Sequence, residues 1–269
     1  MKRLLLPATL LLSLAPALAA QEAEKPPLPP EVKVWVDKIG KLVDKPAEYD
    51  MSMKMDMVAQ GQAMTMNSTG HVLMLDPEHM RASMTMRIEM AMMPEPMEMK
   101  LLTVSDGKTL WIESDNPMMG KQIMKADVKQ MSALRESGMG MGPGANMNQL
   151  AQVRDLFENY YHNFKVVESE GRVEISGDIS QEIAGSEEFS ELGLKRFSMV
   201  LDAKTGFPLR TAMSDGEKEI MVIEMSNLKF PKKEDLPKDA FVYTPPAGAS
   251  VMDIGAMLGG AGGEEGDDF

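Results

Sequence analysis

Met51, Met53, Met55 and Met57 alternate with Ser52, Lys54 and Asp56. Only an extended strand sends residues two apart to one side and their neighbours to the other, so this run requires a sheet with one methionine face and one polar face. The pattern recurs beyond Gly61 in Ala63 to Asn67, where Met64 and Met66 take the apolar positions. Ser68-Thr69-Gly70 reads as a turn, and His71 to Leu75 as a further strand ending at Asp76-Pro77. Ala82, Met84, Met86, Ile88, Met90 and Met92 then alternate with Ser83, Thr85, Arg87 and Glu89 until Pro94 and Pro96 stop the run. Met97, Met99 and Leu101 offer one face of the next strand, and Ser105-Asp106-Gly107-Lys108 turns the chain into Thr109 to Glu113. The reading is an antiparallel meander with a methionine face.

Helical periodicity appears at two other places. Val32, Trp35, Val36, Ile39 and Val43 form one stripe behind Pro30, and Leu150, Val153, Phe157, Tyr160, Tyr161 and Phe164 form a broad apolar face over Asn148 to Phe164. Residues 121-135 read as a short helix, whereas the four glycines of residues 138-144 exclude regular structure. Further strands are expected at Lys165 to Glu168, Arg172 to Ile175, Lys195 to Asp202, Arg210 to Met213 and Glu219 to Met225. Asp202 to Gly206 and Ser214-Asp215-Gly216 carry the Asp/Gly chemistry of hairpin turns.

Composition narrows the chemistry. With no cysteine, disulfides, thiolate metal sites and a cysteine nucleophile are excluded, and three histidines leave little for a histidine-built metal centre. The net charge of -13, without a dense basic patch, argues against nucleic acid as a partner. No nucleotide-binding glycine motif, H-E-x-x-H or G-x-S-x-G is present, so a hydrolase would need residues gathered from distant positions, and the chain is expected not to be an enzyme and to need no cofactor.

Lys2 and Arg3, an apolar stretch and the small-x-small site Ala17-Leu18-Ala19 read as a secretory signal peptide over residues 1-19, which puts the protein in a periplasm. Residues 20-30 form a Pro-rich leader expected to be disordered, residues 31-254 one folded domain, and residues 255-269 a disordered glycine-rich acidic tail. The order of elements predicts an α+β fold in which a curved antiparallel sheet holds helices against one face.

In their order, these segments resemble the LolA-like lipoprotein-carrier superfamily of exported proteins. The resemblance spans roughly residues 31-254. It rests on the N-terminal amphipathic helix, on Gly70 to Pro77 with Arg81 beyond it, on Leu102 to Trp111, and on Asp235 to Asp253 with its Phe241-Val242-Tyr243-Thr244-Pro245-Pro246 core. It implies an incomplete, strongly curved antiparallel barrel, a half-barrel covered by helices, whose interior receives a lipid, an acyl chain or a lipoprotein from a membrane-bound donor or acceptor. Where lipoprotein carriers often place an arginine before the proline of the second block, this chain has Asp76, and an acidic residue cannot donate the hydrogen bonds an arginine would. Arg81 is the candidate for the remaining basic position, as a headgroup or lid contact.

Fifteen of the 29 methionines lie between residues 51 and 99, although the chain has only eight Phe, four Tyr and two Trp. Methionine is a weaker strand former than Val, Ile or an aromatic residue, so its density there asks for a reason. One is core filling by an unbranched, adaptable side chain. Another is a soft cavity wall that re-packs around varied apolar ligands. On that reading the ligand-binding residues are Met51, Met53, Met55, Met57, Met64, Met66, Met84, Met86, Met90, Met92 and Trp111, in a monomeric carrier. The alternative is Cu(I) held by soft thioethers, for which Met139 and Met141 in the glycine loop are the candidates.

Overall fold

The computed structural model describes residues 27-59, 62-90, 92-93, 95-129, 149-181 and 192-255. Pro29 and Pro30 fix the entry to helix α1 (Pro30–Gly40), where a missing backbone N–H at the first position costs no hydrogen bond. Val32, Val36 and Ile39 follow at helical spacing and are buried. Each such burial contributes about 1.5–3 kcal/mol. The opposite side carries the exposed Lys33–Asp37 pair at 2.6 Å. Helix α2 (Gln149–Asn159) packs beside α1 and buries Val153 and Phe157. Among the described residues no helix is long and apolar enough to cross a membrane.

Among the described residues twelve strands make one sheet: β1 (Ala47–Ala59), β2 (Gln62–Met74), β3 (His79–Met90), β4 (Met97–Asp106), β5 (Thr109–Asn116), β6 (Gly120–Asp127), β7 (Tyr161–Ser169), β8 (Arg172–Ile179), β9 (Arg196–Asp202), β10 (Pro208–Ser214), β11 (Glu219–Lys229) and β12 (Val251–Asp253). Their order is β12-β6-β5-β4-β3-β2-β1-β11-β10-β9-β8-β7, antiparallel throughout except for β12 on β6. The edges β12 and β7 do not meet, so the sheet is an incomplete, curved half-barrel covered by the two helices. The main core lies between α1, α2 and one sheet face, with Tyr49, Val72, Ala82, Ile175, Phe197, Leu201 and Ile223 among its buried members. We call this the inner face.

Several local expectations change. Ser68-Thr69-Gly70 is not a turn: β2 runs unbroken through it, paired with β1 from Ala47↔Met74 to Ala59↔Gln62. Continuous pairing on both flanks overrides the local turn preference, and the absent Cβ of Gly70 lets β3 approach closely. Residues 120-127 are β6 and not a helix, because eight consecutive partners on β5 satisfy the backbone there. Helix α2 ends at Asn159, so Tyr161 and Phe164 belong to β7. Asn163 adopts φ 53° at a bulge between His162 and Lys165, and Tyr161 stacks on Phe197 at 3.9 Å between ring centroids. β3 stops at Met90, which leaves Met92 in the following turn. The Asp202–Gly206 turn forms as expected, with Thr205 donating from its N and Oγ1 to Asp202 Oδ1 and Gly206 at φ 79°. Residues 138-144 lie outside the described residues.

A Cβ at Gly70 would run into the Ser83 carbonyl oxygen and lie 2.8 Å from Met84 Cγ. Gly70→Ala is therefore expected to lower unfolding free energy by about 1–3 kcal/mol in urea titrations. Thr69→Ala, on the exposed side of the same strand, should stay within about 0.5 kcal/mol of the parent.

Candidate apolar-ligand site

Directly opposed residues on neighbouring strands share a face, so the register assigns each side chain. Met51, Met53, Met55 and Met57 of β1 oppose Gly70, Ser68, Met66 and Met64 of β2. Those in turn oppose Met84, Met86, Ile88 and Met90 of β3, whose partners on β4 are Leu101, Met99 and Met97 for the first three. On the far side of β1 stand Met225, Ile223 and Met221 of β11. Nine of the ten candidate methionines thus form one field on the inner face. The tenth, Met92, is 74% exposed in the turn beyond β3.

The field changes character along the strands. Near the helices Met51 and Met53 pack against the main core, and Met74, Met80 and Met225 belong to it. Outside that core cluster, Met55, Met66 and Met84 are buried, while Met57, Met64, Met86 and Met90 are half-buried. Core packing accounts for the first group. The second continues the apolar surface outside the main core cluster, with side chains whose rotatable bonds let them re-pack. Ser68 sits within this second group, 2% exposed. The turn-like triplet hides it in the sequence, but residues 68 and 70 taken as small members of one alternation, Met64 to Met74, reveal it.

Trp111 and Arg81 stand elsewhere. Trp111 pairs with Val104 and Lys125, and Val104 with Arg81, all on the outer face, because the neighbouring Ile112 and Thr103 take the inner positions. Trp111 therefore does not line the methionine field. It packs at 5.3 Å between ring centroids on Tyr243, whose hydroxyl donates to Glu113 Oε2 at 2.5 Å. Arg81 Nη1 donates to the Ala240 carbonyl at 3.4 Å. Both residues tie residues 236-250 across the outer face before the chain enters β12. Asp76 accepts from the backbone N–H of Glu78 and His79 and lies 2.9 Å from His79 Nδ1, closing the β2–β3 connection. Met139 and Met141 lie outside the described residues.

A cavity of about 540 Å³ opens on the outer face, with Asp50, His71, Ser83, Thr85, Lys100 and Glu113 in its lining. His71 Nδ1 lies 2.8 Å from Asp50 Oδ1, and hydrogen bonds from Asn227 and His71 hold the Asp50 carboxyl below its ordinary range. Partial burial would raise Glu113, but Lys121 at 2.6 Å and Tyr243 outweigh it and hold this carboxyl low. The Tyr243 phenol is pushed up to about 12 by burial and by that same carboxylate. Among the described residues no three His, Asp or Glu side chains are grouped to hold a metal ion.

Among solved structures, the chain is similar to LprF from Mycobacterium bovis at 10% identity, over 76% of this chain and 97% of that one, with a TM-score of 0.45. It is similar to MucB at 14% identity, over 80% and 68%, with a TM-score of 0.34. A LolA superfamily protein from Nitrosomonas europaea aligns at 10% identity, over 78% and 97%, with a TM-score of 0.29. No protein-family description and no curated protein matches the sequence.

Because Glu113 is more acidic folded than unfolded, the unfolded chain takes up its proton at higher pH. Its contribution is present above its ordinary value of 4.5 and is lost as pH falls through the folded value. Thermal melts across this range should show stability dropping on acidification, with a shallower drop for Glu113→Gln; equal slopes would remove Glu113 from the cause.

Proposed function

We propose that the chain is a non-enzymatic exported protein that binds and carries an apolar molecule on the inner face of its half-barrel. The observation that carries this reading is the methionine field, which extends beyond the helix-covered core where packing alone accounts for it. Export to a periplasm rests on the signal-like residues 1-19, and a lipid, acyl chain or lipoprotein is the partner class that such a surface suits. Nucleic acid is disfavoured by the charge of -13. Mass spectrometry of protein released gently from a native extract should find a co-purified lipid, and an environment-sensitive naphthylamine probe should bind saturably. Absence of both results would reject the proposal.

The cross-strand pairs Met55–Met66 and Met57–Met64 favour a second reading, because they set thioethers side by side as soft ligands for Cu(I). One variant separates the two. Replacing Met55, Met57, Met64 and Met66 together with leucine keeps apolar surface and removes sulfur, at a cost typically below about 1.5 kcal/mol per site. The carrier reading expects probe binding to persist with a narrower range of accepted ligands. The copper reading expects competition against a calibrated Cu(I) chelator to be abolished while probe binding is unaffected.

A further inference from the structure

Ser68 is the one hydroxyl in the row that runs Met53, Ser68, Met86, Met99 across β1 to β4. Along β2 its neighbours on the same face are Met66 and Gly70. Its side chain is 2% exposed, and its Oγ has no hydrogen-bond partner. Buried polar groups are almost always paired, and thioether sulfur is only a weak acceptor, so a shielded hydroxyl among methionines stands out from ordinary packing. Ser105, a buried hydroxyl of the same face opposite Met80, differs in that it donates to the Glu78 carbonyl.

We infer that Ser68 Oγ is the hydrogen-bonding anchor of the inner face, and that the molecule carried there is a neutral acyl ester whose carbonyl oxygen accepts from it. This rests on the apolar-carrier reading and narrows it to a ligand class. A carbonyl suits the site because it only accepts: it satisfies the Ser68 O–H and brings no unmet donor into surroundings that offer none. A ligand hydroxyl would bring its own proton. A free carboxylate would bring a charge, which low-dielectric surroundings penalise far more heavily than a neutral oxygen. Position agrees with this. Ser68 lies six residues from the hairpin end of β2, about 20 Å at strand rise, so a chain extending that way from the carbonyl would cross Met66, Met55, Met64 and Met57.

The test uses 1,2-dioctanoylglycerol and its diether analogue, in which each ester carbonyl is replaced by a methylene, as competitors of the naphthylamine probe. The parent protein should prefer the ester by about five- to tenfold, the effect of one net hydrogen bond. Ser68→Ala should bind both lipids with equal affinity and melt no lower than the parent, because the substitution removes an unmatched polar group. If both lipids bind but the preference is absent, or survives in Ser68→Ala, the anchor is overturned and apolar carriage stands. If neither lipid displaces the probe and the probe itself does not bind, the carrier reading fails and the anchor with it.

Discussion

The register between β1, β2 and β3 governs what this sheet can do. A slip of one residue in either ladder would exchange every side chain between faces. Lys54, Asp56 and Arg87 would then lie among the core residues, and the methionines would face solvent. Thirteen opposed pairs between β1 and β2, and eleven between β2 and β3, hold the alignment. Gly70 permits it at the closest approach of β2 to β3. From that one alignment follow the methionine field, the buried Ser68 and the polar outer face.

The inner face changes composition along its length. Toward the β2–β3 connection, Tyr49, Val72 and Ala82 close against α1 and α2, with Phe157, Phe197 and Tyr161 locking α2 to β7 and β9 through ring contacts. Toward the hairpin ends, methionine replaces the branched and aromatic residues that favour strands, and the surface becomes adaptable. The outer face is managed differently. There, Trp111, Tyr243, Glu113 and Arg81 fasten the C-terminal segment over β3 to β5, which lets β12 extend the sheet beyond β6.

Where periodicity is strong, the sequence alone makes the element legible: α1, the strands of the meander and the paired hairpins from β7 to β11 all carry their period in the residues. The misread pieces share a physical cause, since tertiary pairing decides them. Ser68-Thr69-Gly70 has turn composition but two paired flanks; residues 120-127 are held by β5; Tyr161 and Phe164 continue a helical apolar face yet lie on β7, where Tyr161 stacks on Phe197 of β9 and Phe164 on Phe157 of α2. Trp111 illustrates a different limit. Its strand is evident from alternation, but the face it takes depends on which of Trp111 and Ile112 opposes Thr103, and that is fixed by register between strands and not by alternation within one.

The most direct measurement is a spectrum of the protein labelled with ¹³C at the methionine methyl groups, titrated with dioctanoylglycerol and assigned by single Met→Leu substitutions. Binding on the inner face predicts saturable shifts of Met55, Met57, Met64, Met66, Met84 and Met86, with Met118 and Met119, 78% and 66% exposed at the β5–β6 turn, unchanged. Unperturbed inner methyls alongside shifts confined to Met92, Met118 and Met119 would contradict it and assign the field to core packing.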